Sequence, residues 1–422
     1  MAEVNPVSIM GAGLSGLAAA TILAKAGIEV HVHDIREESG ARFDGDFQAL
    51  ENWSMDNDFF DQLKSWGFDT SEFKATEFKV VDLIHPDDTI TQAKSPKVAY
   101  RIVERGTSSH TIDQGIKRQA LAAGAKIHYK SKVQEEDCQI IACGPKGTSA
   151  VAYGEIFHTD HPNHIAFQLN DKLAPGAYSY LIIIDGVGLI CTCLWRKQKK
   201  SDRFLNETIA WYDKHYPELN RKPIKRVGGK GDFTINRNYF QDGRYYVGES
   251  GGLQDFMWGF GMRMAIWSGV LAAQDILGEV NYDKAVRKQL LPYVKTSVAN
   301  RWLMNRVGDK TFNLIKDKMN YKDIKIIDNG LLAHEMINLY QEDGIIIEPA
   351  GCLSVAALNL LDKTEIEGKN IFRVKVQPCF SSKTWVNFSG SQYFYVRDGN
   401  GTKSLSGEDA DNYWEERELI NM

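Results

Sequence analysis

The chain has 422 residues, with 50 Lys and Arg against 55 Asp and Glu, for a formal net charge of −5. A hydrophobic share of 43% and a charged share of 25% suit a soluble globular protein, and the length allows two or three structural regions around a buried core. The near-balanced charge excludes a global field that would draw nucleic acid or an anionic membrane, so the expected partner is a small molecule.

In chain order, Val7-Ser8-Ile9-Met10 reads as a short buried strand. Gly11-Ala12-Gly13-Leu14-Ser15-Gly16 follows at once, then an Ala/Leu-rich helix to about Ala26. Gly27 ends that helix, Glu29-Val30-His31-Val32-His33 reads as a second strand, and Asp34 stands at its end. This is a complete βαβ fingerprint for the ADP half of a dinucleotide. Gly11 permits the tight turn, Gly13 lets the backbone approach a pyrophosphate, and Gly16 lets helix and strand pack closely. The helix N-terminus offers N–H groups and a positive dipole end to phosphates. Asp34 can accept from ribose hydroxyls and would repel a 2′-phosphate, an argument that Arg36 two residues on partly offsets. The fingerprint alone leaves FAD and NAD open. Residues 14–28 are apolar, but Glu3 and Lys25 and the phosphate-loop glycines argue against a signal or membrane segment. No transmembrane segment and a cytoplasmic location are expected.

Two later segments bear on the cofactor. Asp137-Cys138-Gln139-Ile140-Ile141-Ala142-Cys143-Gly144-Pro145 reads as a strand ending in a small-residue turn. Arg244-Tyr245-Tyr246-Val247-Gly248-Glu249-Ser250-Gly251-Gly252 reads as another, before a helix over about 260–277. In this order the motifs resemble the flavoprotein superfamily of para-hydroxybenzoate hydroxylase and geranylgeranyl reductase, over about residues 5–310. Its apolar strand ending in Ala-x-Gly matches Ile141-Ala142-Cys143-Gly144. Its Gly-Asp before a Gly-rich helix start matches Gly248-Glu249 and then Gly259-Phe260-Gly261. Its Pro-Gly-x-Tyr segment, which lies against the flavin, is similar to Pro175-Gly176-Ala177-Tyr178-Ser179-Tyr180.

The resemblance implies an α/β fold: a glutathione-reductase-type Rossmann-like FAD-binding domain with an inserted antiparallel β-sheet substrate domain, a helical region and an extra C-terminal segment. It implies FAD as cofactor, with NADH or NADPH as a candidate electron donor. The cofactor-binding candidates are Gly11, Gly13, Leu14, Ser15, Gly16, Asp34, Ile35, Arg42, Arg105, Val133, Ala142, Cys143, Gly144, Gly248, Glu249, Gly259, Phe260 and Gly261. Glu249 stands where the family has Asp. Residues 40–47 lack the cysteine motif that geranylgeranyl reductases often carry there, and the Trp-x-Trp-x-Ile-Pro motif of flavin-dependent halogenases is absent.

The helix beginning near Gly261 is expected to aim its positive end at the flavin, favouring the charge gained on reduction. Tyr178, Tyr180, Trp195, Phe256 and Trp258 are candidates for an aromatic substrate wall. No catalytic residue is assigned, because hydride transfer through a flavin asks few acid/base groups of the protein. Cys191 and Cys193 share one face if their segment is a strand, and packing is the expected role. The His158, His161 and His164 series contains Pro162 and lacks helical spacing, so no metal site is expected. The basic run Arg196-Lys197-Gln198-Lys199-Lys200 reads as a solvated turn, with an anion contact as the alternative.

The FAD-binding domain is expected to be discontinuous, over about 1–84, 98–150 and 230–280, with a covering sheet from 85–97 and 151–229. Strands are expected within 80–96 and 165–194, an amphipathic helix over 206–216 and helical structure over 280–319. Residues 321–422 form a C-terminal appendage, and about 321–372 resemble a fragment of biosynthetic threonine dehydratase through a stretch that includes Glu348-Pro349-Ala350-Gly351. That family uses PLP, but its Schiff-base lysine motif and phosphate-binding Gly loop are not found here, so PLP is not expected. A hairpin is expected around Asp398-Gly399-Asn400-Gly401. The function expected is an FAD-dependent oxidoreductase acting on a small apolar or amphipathic substrate. The alternatives are an NAD(P)H-dependent flavin monooxygenase, a flavin-binding electron-transfer or redox module, and a disrupted fusion with weak FAD binding.

Overall fold

The computed structural model describes residues 5–54, 57–235 and 238–318. It also describes the strands Ile345–Ile347, Lys375–Pro378, Val386–Asn387, Tyr393–Asp398 and Gly401–Ser406. The first part of the chain runs β1 (Val7–Met10), α1 (Leu14–Lys25), β2 (Val30–His33), β3 (Phe47–Glu51) and α2 (Phe59–Ser65). Next come β4 (Ala75–Phe78), β5 (Val80–Ile84), β6 (Ile90–Lys94), β7 (Tyr100–Glu104), α3 (Ile112–Ala122), β8 (Lys126–His128) and β9 (Ile140–Ile141). Then follow β10 (Ala150–His158), β11 (His164–Gln168), β12 (Ser179–Ile184), β13 (Val187–Leu194), α4 (Ser201–His215) and β14 (Lys222–Gly231). The last are β15 (Phe240–Gln241), β16 (Arg244–Tyr246), α5 (Met262–Ile276), α6 (Tyr282–Gln289) and α7 (Leu291–Lys318).

The nucleotide-type sheet has the order β15-β16-β9-β1-β2-β8. β1 lies parallel to both β2 and β9, so the chain reverses direction across the sheet at β1, where such folds open a crevice at the strands' carboxyl ends. Ile9, Val30 and Val32 are fully buried between the layers. α1 is almost entirely buried, because its Ala and Gly positions let α3 and α5 pack closely on it. A Cβ at Gly269 of α5 would lie 2.1 Å from the Ser15 carbonyl oxygen, so that crossing depends on the missing side chain.

The covering sheet has the order β14-β10-β13-β12-β11-β5-β6. Its pairs are antiparallel except β11 with β5, which run parallel, a departure from the wholly antiparallel sheet expected. Residues 80–84, given to the nucleotide domain by the expected boundary but to the covering sheet by the expected strand run 80–96, form β5 of this sheet. One face carries α4, where Leu205 and Tyr212 meet Phe157, Leu181 and Ile183. The other face meets a small sheet, β3-β7-β4, through Phe47 and Ile102 against Ile182, Leu189 and Cys191.

The chain divides into two compact units, residues 1–294 with 304–319, and residues 295–303 with 320–422. In the second unit Ile345–Ile347, Lys375–Pro378 and Val386–Asn387 form an antiparallel sheet. Tyr393–Asp398 pairs antiparallel with Gly401–Ser406, with Asp398 opposite Gly401, as the hairpin expectation requires. The helices expected of the dehydratase-like stretch lie outside the described residues. Among the described residues, no helix is long and apolar enough to cross a membrane.

Candidate dinucleotide site

A cavity of about 570 Å³ runs from the end of β1 to the inner face of the covering sheet. Two helices begin at it. α1 has Gly13 as its N-cap and α5 has Gly261, and neither cap has a side-chain hydrogen bond. Both glycines line the cavity, so two helix N-termini with unsatisfied N–H groups and positive dipole ends converge on one space.

The Gly-rich turn is held by backbone geometry. Gly11 has φ +109°, and a Cβ there would lie 2.4 Å from the Ala142 carbonyl oxygen. Gly13 is the opposite case: a Cβ built on it meets nothing within 4 Å, so its cradle is open toward the cavity. Asp34 Oδ2 accepts from the Ala12 N–H at 2.8 Å, and Oδ1 accepts from the Arg36 N–H at 2.8 Å. The acid therefore ties the second strand to the turn and keeps lone pairs for a ligand. Ile35 lines the same end and is 70% exposed, an apolar side chain with nothing over it.

Arg105 and Arg42 line the middle of the cavity. Arg105 makes a two-pronged pair with Asp113, its Nε and Nη2 each donating at 2.8 Å, and Asp113 also accepts from the Gly106 N–H at 3.0 Å. The Arg105 guanidinium lies 4.0 Å from the Phe43 ring centroid. Arg42 Nη1 donates to Glu249 Oε2 at 2.9 Å, and Glu249 Oε1 accepts from the Asp232 N–H at 3.0 Å. The extra methylene of Glu249 thus lets its carboxylate span Arg42 and the Asp232 backbone.

The far end is aromatic. Tyr178 donates to the Trp258 carbonyl oxygen, and their rings meet edge to face at 5.3 Å. Trp195 packs on Phe233 at 4.5 Å between ring centroids. Burial keeps the Tyr178 phenol far above its ordinary pKa. A hydrogen bond with Cys193, and then burial, do the same for the Cys191 thiol. The Tyr178 phenol and the Cys191 thiol therefore stay neutral at physiological pH, and this end suits an uncharged, apolar ligand.

Of the cofactor candidates, sixteen line the cavity: Gly11, Gly13, Leu14, Ser15, Asp34, Ile35, Arg42, Arg105, Val133, Ala142, Cys143, Gly144, Glu249, Gly259, Phe260 and Gly261. Gly16 and Gly248 do not. A Cβ at Gly16 would lie 2.0 Å from the Gly11 carbonyl oxygen, and one at Gly248 would lie 2.9 Å from Ser15 Oγ, so these two shape the turn from behind. Tyr178, Tyr180, Trp195 and Trp258 line the wall; Phe256 is instead buried against Phe233, because aromatic spacing does not tell which side of a loop a ring takes. Sequence reasoning missed Phe167, Phe233, Asp46, Gln48 and Lys132. Only the alternation around Phe167 in a strand pointed toward it. Burial raises the Asp46 pKa against the pull of Gln48 and Arg105.

The remaining singled-out groups lie elsewhere. Lys197 and Lys200 of the basic turn and Arg203 of α4 share a hollow of about 350 Å³ with Asp171, Lys172 and Phe204. His161 and His164 meet edge to face at 5.4 Å, and among the described residues no group of three His, Cys, Asp or Glu is arranged to hold a metal. Cys138, Cys143, Cys191 and Cys193 are free thiols.

With this geometry in place, comparison with known proteins is informative. Residues 9–46 match the family model of the NAD(P)-binding Rossmann-like domain. A geranylgeranyl bacteriochlorophyll reductase-like protein from Thermoplasma acidophilum superposes with a TM-score of 0.62 at 18% identity, covering 80% of this chain and 96% of that one. A flavoprotein/dehydrogenase from Cytophaga hutchinsonii does so with a TM-score of 0.55 at 13% identity, covering 81% and 94%. At these identities the likeness establishes the fold: a Rossmann-like α/β architecture with an inserted sheet. In sequence, the chain is 51% identical over 65 residues to the biosynthetic L-threonine dehydratase of Lactococcus lactis subsp. lactis. The chain spans only about 15% of the length of that curated relative.

Proposed function

We propose that the protein is an FAD-dependent oxidoreductase whose cavity takes the cofactor along its length and a small apolar or amphipathic substrate at the aromatic end. The observation that carries this reading is the convergence of the two glycine-begun, side-chain-uncapped helices α1 and α5 on one cavity. A fingerprint for the ADP half, in a fold shared with a protein described as a flavoprotein, favours FAD over a flavin without the adenylate. The residues fit that group. Gly13 leaves an open cradle for a pyrophosphate, Asp34 is placed for ribose hydroxyls, and exposed Ile35 is an apolar surface that an adenine would cover.

When bound, the flavin supplies hydride transfer. The chain's part is to bind, orient and exclude water. The α1 N-terminus would hold phosphate charge, the α5 N-terminus would favour charge gained on reduction, and Tyr178, Tyr180, Trp195 and Trp258 present an apolar wall. Electron supply by NADH or NADPH, a cytoplasmic location and the absence of a nucleic-acid partner belong to the same proposal. So do the domain limits of about 1–84, 98–150 and 230–280 for cofactor binding, less residues 80–84, which belong to the covering sheet. A flavin monooxygenase is the second reading, and oxygen-coupled NAD(P)H oxidation with substrate hydroxylation would distinguish it.

Asp34→Ala removes a charged acceptor, and hydrogen bonds to charged groups are worth ~1.5–3 kcal/mol, or roughly one to two decades of affinity. The expected result is FAD affinity weakened by that factor, measured by fluorescence titration with thermal unfolding as a control for the freed Ala12 N–H. Gly261→Ala tests the other end. Gly261 has a negative φ of −140°, and an added Cβ meets only Gln254, at 3.6 and 3.9 Å. Stability should stay within about 1 kcal/mol of wild type, while flavin reduction by NAD(P)H slows in stopped flow because the methyl stands at the helix start that faces the ring.

A further inference from the structure

Two buried, under-partnered charged side chains lie just behind the aromatic end of the cavity. Arg263, in the first turn of α5, is 1% exposed. Its Nη2 donates to the Asn57 carbonyl oxygen at 3.3 Å and to Gln62 Oε1 at 3.1 Å, while its Nε and Nη1 are buried without a hydrogen-bond partner. The guanidinium stands 5.1 Å from the Phe59 ring centroid, and burial pulls its pKa down. Glu51, the last residue of β3, is 5% exposed, with Oε2 buried and unpartnered. Burial pushes its carboxyl up to about 7, against the pull of Arg263.

Position connects these groups to the cavity. Gly261, Met262 and Ala265, which flank Arg263, line it. Ala49, two residues before Glu51 and so on the same face of β3, lines it too. Tyr100 sits opposite Glu51 on β7 and packs on Phe260 at 6.0 Å and Phe167 at 5.4 Å, both rings of the cavity wall. The charged and titratable groups facing the pair are Asp255 from the loop before α5, Tyr100 from β7, Asp58 beside α2, and Tyr293 from α7. Arg101, next to Tyr100, pairs through Nη2 with Asp58 at 3.1 Å and Glu77 at 2.9 Å, while its Nε and Nη1 are likewise buried without a hydrogen-bond partner.

Keeping an arginine buried with two donors open is costly, and an anion nearby would offset it. We propose that Arg263 and Glu51, two buried charged side chains behind the cavity that make no ion pair with each other, together set the reduction potential of the flavin in the cavity. This rests on the FAD reading. The positive charge of Arg263 adds to the α5 N-terminus and stabilises the more negative, reduced flavin over the oxidised one. Ionised Glu51 cancels part of that charge, and neutral Glu51 does not. The potential therefore falls more steeply with pH across neutrality than the flavin's own titration requires.

The test is a redox titration of the full chain loaded with FAD, from pH 6 to pH 8, on wild type, Arg263→Lys, Arg263→Met and Glu51→Gln. Arg263→Met should weaken reduced-flavin binding about tenfold more than oxidised-flavin binding, a fall of ~30 mV for a two-electron couple. Arg263→Lys, which keeps the charge, should stay near wild type, and Arg263→Gln is the neutral variant to use if Met fails to fold. Glu51→Gln should match wild type at pH 6, lie above it at pH 8 and lose the extra slope. An independent readout needs no cofactor. Because folding raises the Glu51 pKa, its stabilising contribution is present at low pH and lost as pH rises through about 7, so Glu51→Gln should be more stable than wild type at pH 8 but not at pH 4. Equal potentials and slopes in all four flavin-loaded proteins would overturn the inference, whereas a folded chain that takes up no FAD would overturn the cofactor reading beneath it.

Discussion

Gly13→Val is expected to give a protein that folds and unfolds like wild type and carries no flavin. Gly13 is the N-cap of α1 with φ −85°, which any residue can adopt. A Cβ there meets no protein atom within 4 Å, so the branched side chain projects into the cavity rather than into the fold. Replacing a glycine at an N-cap by a non-capping residue costs under about 1 kcal/mol. The same side chain fills the space where phosphates would approach the helix N-terminus, so affinity should drop more than about a hundredfold, ~3 kcal/mol. Gly11→Val is the contrast. At φ +109° and 2.4 Å from the Ala142 carbonyl oxygen, it should lose stability as well as ligand. Equal FAD retention in Gly13→Val and wild type, by denaturation and chromatography, would place the nucleotide elsewhere.

Arg105→Leu should destabilise the fold by about 3–5 kcal/mol, the usual cost of removing one partner of a buried ion pair. Its side chain is 9% exposed and that of Asp113 is 2% exposed, so solvent cannot take over the lost charge. Asp113 would keep only the Gly106 N–H among these partners and would be pushed toward its neutral form. Adding Asp113→Asn removes the stranded charge and should recover more than half of the loss in urea unfolding. A cost under 1 kcal/mol for Arg105→Leu alone would show that the pair is not holding β7 to α3.

Much of the nucleotide unit was legible because its signals are local. β1 covers the expected Val7–Met10, and Gly16 answers to the Gly11 carbonyl oxygen within its own turn, whereas Gly11 answers to distant Ala142 and α1 begins at Leu14, inside the glycine turn expected to precede it. The same pattern could not separate glycines that line the cavity from Gly16 and Gly248, which shape the turn from behind. α4 begins at Ser201, five residues before the expected start, because its N-cap is Lys200 with no side-chain cap and leaves no signal. β14 was hidden by its glycines at Gly228, Gly229 and Gly231, residues that weaken strand propensity. The sheet β3-β7-β4 joins short strands far apart in sequence, which periodicity cannot pair. Glu51 and Arg263 carry no signal in their local sequence, because tertiary packing alone buries them.

The central claim, that this cavity holds FAD and passes electrons through it, is tested most directly by adding FAD to the purified full-length chain. The bound nucleotide would be identified by mass spectrometry after denaturation, and bleaching of the flavin absorbance by NADH or NADPH would be followed under nitrogen. One FAD per chain, with absorbance lost on reduction and restored by air or an added acceptor, is the expected result. A folded protein that retains no FAD at concentrations well above those saturating flavoproteins of this fold would contradict it.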